Sequence, residues 1–177
     1  MRNYGRMRLL SGDGASVEFR PVAYQFGGRV GGQFGAGAAG DAGAAEHAVD
    51  WDANWLMIRG VIRTAGGRAW TFCEPCLTTW EAECLSAWLH AAASQDGAGP
   101  QDEAAFTEPN LGFILDGRVG ERVRIRVRFA HESLPGWSPR DASGRRAEYF
   151  LPLDVPRSEV AGAAGSWDLE RRPFPPR

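Results

Sequence analysis

Cys73-Glu-Pro-Cys76 is the sharpest chemical motif in the chain. Two thiols at this spacing can exchange a disulfide when a helix N-terminus stabilises the thiolate. The surrounding pattern argues against that use. Thr78 and Glu81 form a Thr-x-x-Glu capping box that starts the next helix, so Cys73 lies five residues upstream of the cap. The flanking strands read as antiparallel, not as the parallel strand–helix–strand unit of the redox fold. Cys73 also follows Phe72 in a strand pattern and fits a core position. A pair of structural thiols is the favoured reading, with a thiol-dependent oxidoreductase using Cys73 and Cys76 as the alternative.

Metal binding is the related possibility. Cys73, Cys76 and Cys84 offer three sulfurs, and His47 or His90 could be a fourth ligand. Structural zinc sites bring ligands in paired knuckles, and the second pair is missing. His47, His90 and His131 have no serine, cysteine or carboxylate partner at a motif spacing. Triads can assemble from distant positions, so a hydrolase or transferase is weakened without being removed. Gly35-Ala-Gly-Ala-Ala-Gly40 matches G-x-G-x-x-G, but it follows no convincing strand and opens no apolar-periodic helix. A P-loop needs lysine, and all 20 cations here are arginine. No cofactor or metal is expected.

Binding chemistry is better represented. Asp50-Trp51-Asp52, with Asn54 beside it, could receive an arginine from a partner. The plainer reading is a turn and strand start whose Asp and Asn bond local backbone. Arg122, Arg124, Arg126 and Arg128 alternate with Val123, Ile125, Val127 and Phe129. On one sheet face these four would span about 20 Å. Such a stripe could meet an acidic protein surface, or it could be a solvated face paired to neighbouring acids. Of the seven tryptophans, most should anchor the core. Trp51 and Trp137 lie beside loops, where an indole can be a protein-binding hot spot.

The elements that must position these residues come as hairpins. Residues 17–26 read as a strand with a phase break at Arg20-Pro21, hence an edge or bulged strand. Residues 54–64 and 68–73 form a hairpin around Ala65-Gly66-Gly67. Residues 78–93 are the main helix, with Leu85, Trp88, Leu89 and Ala92 as its buried stripe. Residues 106–115 and 122–130 form a second hairpin around a turn at residues 116–121, with Asp116-Gly117 as its turn signal. Residues 149–155 read as a last strand. Residues 157–172 suggest a short helix weakened by Gly162 and Gly165 and anchored by Trp167. Residues 27–49 hold eight glycines and seven alanines, too little apolar area to offset their ordering entropy, so a mobile loop is expected. Residues 94–104 read as a second flexible loop.

The expectation is therefore an α+β single domain over residues 1–177: an antiparallel sheet or sandwich built from hairpins, one main helix packed on it, and a short C-terminal helix. A 44% apolar content supports a packed core. The net charge of −2, with no aromatics among the arginines, speaks against nucleic acid. No apolar run is long enough to cross a bilayer, and no secretion signal is visible. A cytoplasmic protein with reduced thiols is the default.

Several segments together resemble a known family. They are Val17-Glu-Phe-Arg-Pro-Val-Ala-Tyr-Gln-Phe26, Asp50-Trp-Asp-Ala-Asn-Trp-Leu56, Glu74-Pro-Cys-Leu-Thr-Thr-Trp-Glu81, Glu108-Pro-Asn-Leu-Gly-Phe113, and a closing Trp167 with Pro173-Phe-Pro175. In this order they are similar to the WapI-type immunity proteins of bacteria and their uncharacterised relatives. The resemblance implies a small cytoplasmic protein that binds and neutralises a cognate toxin delivered by contact. It carries no residue-level inhibition map.

Overall fold

The structure is a computed structural model that describes residues 6–26, 51–94 and 102–177. The loop expected over residues 27–49 lies outside the described residues, as does most of the loop expected over 94–104.

Two four-stranded antiparallel meanders make up the sheets. The first runs β1 (Met7–Leu10), β2 (Ser16–Tyr24), β3 (Trp55–Arg63) and β4 (Ala69–Thr78). The second runs β5 (Glu103–Ala105), β6 (Leu111–Val119), β7 (Arg122–Phe129) and β8 (Tyr149–Pro156). Helix α1 (Thr79–Ala93) follows β4 directly, and α2 (Arg157–Arg171) follows β8 directly. The α+β expectation holds, with both sheets of hairpin origin.

Alternation along each strand decides what is buried. Met7, Leu9, Val17, Phe19, Leu56, Ile58 and Ile62 turn inward from the first sheet. Leu111, Phe113, Val123, Ile125, Val127 and Phe129 turn inward from the second. The layers meet through aromatic rings: Phe19 lies 5.8 Å from Phe113, and Trp70 lies 5.0 Å from Phe129, both edge-on. Helix α1 adds Trp88, 5.9 Å from Phe113. Each fully buried Phe or Leu of this set contributes about 1.5–3 kcal/mol.

The capping box at Thr78 forms as the spelling predicts. The Glu81 amide donates to Thr78 Oγ1 at 3.2 Å, and the Thr78 amide donates to Glu81 Oε2 at 2.8 Å. The other Glu81 oxygen accepts the Thr107 amide at 2.6 Å, so the cap also holds the segment between β5 and β6. At the opposite end Arg118 donates to the carbonyls of Ala91 and Ala92, at 2.8 and 3.2 Å. Carbonyls of the last turn are short of backbone donors, Ala91 accepting the Ser94 amide of the cap at 3.2 Å, so a cation there is favourable.

Several local expectations are narrowed or corrected. The turn of the second hairpin, expected over residues 116–121, is Gly120-Glu121 alone, because strand β6 continues through Asp116-Gly117 to Val119. Asp116 is instead an extra residue, since Leu115 pairs with Ile125 and Gly117 with Arg124. Gly117 carries the bulge with a φ of 144°. The strand expected over residues 106–115 starts later, at Leu111, and residues 106–110 connect it to β5, which ends at Ala105. The loop expected to 104 thus gives way to β5 at Glu103. Of the two alternatives for β2, edge or bulged, the bulged one holds: its register shifts between Pro21 and Ala23, and β1 and β3 flank it. Pro21 lies beyond the last β1 partner, Phe19, so no neighbour on that side needs its missing N–H.

The C-terminal helix forms where the sequence places it, over Arg157–Arg171, with 15 residues, as many as α1. Val160, Ala163, Ala164 and Trp167 recur at helical spacing and are buried. The fully buried Trp167 indole donates to the Ala82 carbonyl of α1 at 2.7 Å. Tertiary packing outweighs the poor propensity of Gly162 and Gly165.

Candidate partner-binding surfaces

The residues expected to bind a partner do not converge. Asp50 lies outside the described residues. Trp51 is 67% exposed, and its ring lies 4.8 Å from that of Trp80 at the start of α1. Asp52 is exposed and begins a 3-10 turn, Asp52–Asn54, that leads into β3. Trp137 is 36% exposed and packs edge-on against Trp70 at 5.4 Å. The Arg68 guanidinium lies 5.6 Å from its ring centre. Trp51 and Trp137 therefore mark opposite ends of the β3–β4 hairpin, roughly 25–30 Å apart along the strands.

Asn54 was expected among the exposed candidates and is instead fully buried. Its Oδ1 accepts the Thr79 hydroxyl at 3.2 Å and the Arg177 amide at 2.8 Å. Its Nδ2 donates to the Arg177 carbonyl at 3.1 Å. One carboxamide thus ties the start of α1 to the C-terminal tail. The tail is further held by the Tyr24 hydroxyl, which donates to the Pro175 carbonyl, and by Phe174, whose ring lies 5.5 Å from that of Tyr24. Burial is acceptable for Asn54 because both ends of its amide are satisfied.

The β7 arginines share the outer face of the second sheet, as their alternation requires. Most are answered by acids on adjacent strands. Arg122 lies 2.9 Å from Asp154 on β8, and Arg126 lies 2.7 Å from the bulge residue Asp116 on β6. Arg128 is 3.8 Å from Glu103 on β5. Arg124 is exposed and has no ion-pair partner among the described residues. The ladder is therefore closer to a neutralised sheet face than to a cationic stripe.

A second arginine face escaped the sequence reading. Arg8 of β1, Arg20 of β2, and Arg59 and Arg63 of β3 occupy the outer face of the first sheet. Only Arg59 and Arg63 share a strand, and they stand four residues apart, so no run of charge marks the set. The available signal was alternation in three separate segments, and only the strand register brings it together.

The thiols are separated as well. Cys73 is exposed on the outer face, opposite Arg59, while Cys76 is fully buried. Burial, reinforced by nearby Glu74 and Cys73, pushes the Cys76 thiol up to about 12. Such a thiol stays protonated and unreactive at neutral pH. Both cysteines lie within β4, so neither sits at the N-terminus of α1. Cys84 is exposed on α1. Among the described residues no three His, Cys, Asp or Glu side chains are grouped to hold a metal ion.

His90 does have a partner, Asp168, which the sequence spacing concealed. Its Nε2 lies 2.8 Å from Asp168 Oδ2, while the Ser86 hydroxyl donates to Asp168 Oδ1. Asp168 stands in the middle of this set. Nucleophilic serine chemistry needs the imidazole between serine and carboxylate, so the three residues join α1 to α2 rather than activating a hydroxyl. Burial would raise the Asp168 carboxyl, but the bonds from His90, Ser86 and Arg171 outweigh it and hold it below its ordinary value.

Neither the curated proteins nor the solved structures contain a significant match to the chain. The model of the immunity protein WapI-like family does match, over residues 8–175. That span takes in both sheets, both helices and the docked tail, and so the chain belongs to the WapI-like immunity protein family.

Proposed function

We propose that the protein is a non-enzymatic binding module that neutralises a cognate bacterial toxin domain by covering the surface the toxin works with. Membership of an immunity family over nearly the whole folded chain is the observation that carries this reading. The dispersal of the thiols and the central place of Asp168 favour it over thiol or serine chemistry. On this reading the protein acts in the bacterial cytoplasm, binds neither nucleic acid nor lipid, and needs no cofactor. Exposed Trp51, packed against half-buried Trp80 with Asp52 beside it, has the composition of a binding hot spot.

The test is co-expression with the C-terminal toxin domain encoded by a neighbouring gene. The expected result is restored growth and a stable complex of the two purified proteins. Failure of the wild-type protein both to bind and to protect would overturn the proposal.

A further inference from the structure

We propose that the outer face of the first sheet is the docking surface, and that its partner is an acidic protein surface studded with apolar side chains. This rests on the binding-module reading above and names the site and the chemistry of its partner.

Strand register builds the face. Arg20 of β2 stands directly opposite Arg59 of β3. Arg63 of β3 lies four pairs further along, opposite Ser16, and Arg8 projects from β1 opposite Glu18. Among the described residues none of these four arginines has an ion-pair partner. Glu18 is taken by Arg6 at 2.9 Å, Glu74 lies at the margin, and Glu170 of α2, which accepts the Met7 amide, is close enough to act on Arg20 and Arg6. The face therefore holds five arginines against three glutamates, in a chain whose net charge is −2. The β7 ladder, by contrast, has acids on its neighbouring strands.

The Arg20–Arg59 pair is the decisive feature. Like charges directly opposite across two strands have Cβ atoms about 4.5–5.5 Å apart and destabilise the sheet. A folded chain gains nothing from this arrangement on its own. It gains when a carboxylate from elsewhere bridges the two guanidiniums, each of which can bind it with two parallel N–H groups. An open groove of about 650 Å³ lies at this point, between Arg20, Arg59, Val22 and Thr71.

The apolar component separates a protein partner from a nucleic acid. Leu10, Val22 and Val61 are exposed on the same face, between the arginines. Arginine interleaved with aliphatic area is the composition of a protein interface. No exposed aromatic ring is available there to stack a base, as single-stranded nucleic acid requires. Both helices contribute their apolar stripes to the shared core rather than covering this face.

The test uses the full-length protein with two probes: a short synthetic peptide of alternating glutamate and leucine at low salt, and the neighbour-encoded toxin domain. The Arg20→Glu/Arg59→Glu variant should lose at least about tenfold in affinity for both probes. Arg145→Glu, an exposed change on a distant loop, should leave both within about twofold. Arg59→Glu alone should also melt no lower than wild type, because it turns a like-charge pair into an attractive one. Lost binding without lost stability separates a docking role from a structural one. Unchanged peptide affinity in the double variant would overturn the proposal. So would tighter binding of transfer RNA than of the peptide, lost in the same variant, because the face would then be an RNA site. If wild type and double variant both protect against the toxin domain, the docking face is wrong and the immunity reading stands. If wild type fails to protect while peptide binding follows the arginines, the immunity reading falls and the acidic-partner face stands.

Discussion

Gly60→Ala is the most demanding probe of how the core is built. Gly60 lies within β3, with Phe19 opposite on β2 and Phe72 opposite on β4. A Cβ at this position would stand 2.4, 2.6 and 2.9 Å from three carbons of the Phe72 ring. Ordinary carbon contacts are about 3.5–4.0 Å, so the ring would have to retreat by roughly 1 Å. It has little room, with ring centres of Phe19 and Phe129 at 6.1 and 6.3 Å. Overpacking a core costs about 1–3 kcal/mol, and a rigid ring held on two sides belongs at the upper end. Alanine recovers about 0.5–1 kcal/mol of the backbone entropy that glycine loses on folding. The net cost is about 2 kcal/mol, which lowers the melting temperature by about 4–8 °C in a chain of this length. Urea unfolding followed by tryptophan fluorescence, with a thermal melt alongside, measures both. Adding Phe72→Leu removes the ring atoms in the way, so the pair should show a favourable coupling of at least about 1 kcal/mol. A Gly60→Ala protein as stable as wild type would refute the reasoning, since glycine would then be only a strand weakness.

Three further outcomes are expected. Asn54→Ala should lower stability by about 1–3 kcal/mol in urea, because the Thr79 hydroxyl and the Arg177 backbone lose their partner. An unchanged midpoint would mean that the tail is not held through Asn54. In thiol labelling Cys73 and Cys84 should react in the folded protein and Cys76 only with unfolding; rapid modification of all three would contradict the buried Cys76. The Asp168 carboxyl is held below its ordinary 3.8, so its contribution is present above that pH and is lost as pH falls through the lower folded value. Glu170 is the opposite case. Burial, partly offset by the Met7 amide, raises its carboxyl above 4.5, so its contribution favours the fold at low pH and is lost as pH rises through the folded value. Glu170→Gln should thus be stabilising at neutral pH, whereas Asp168→Asn should be destabilising there. Melts across pH would expose a reversal of either sign.

Much of the architecture was legible because it is written locally. The Thr78–Glu81 box is four residues long, and its two hydrogen bonds close within one turn. Alternation in β7 needs only the pleat, and Ala65-Gly66-Gly67 marks the turn between β3 and β4 through backbone freedom alone, with Gly67 at a φ of 81°. The same local view misread Asp116-Gly117. The dipeptide suits a turn, but the register across β6 and β7 made it a bulge and passed the turn to Gly120-Glu121. It did place α2 and its anchor Trp167, because that helix is held by burying Trp167 against α1 rather than by intrinsic helix propensity.

The candidate surfaces divide along the same line. The sequence by itself determined that strands, a capped helix and an arginine alternation exist, because nearest-neighbour sterics and the period of the side chains are properties of short segments. Only the tertiary structure decided what those residues face. It buried Asn54 against a tail 123 residues away in sequence, and it answered three of the β7 arginines with acids from β5, β6 and β8. It also aligned Arg8, Arg20, Arg59 and Arg63 across three strands of the first sheet. Charge acts through space between chains of atoms that register brings together, and register is set by the packing of the whole core rather than by any one strand.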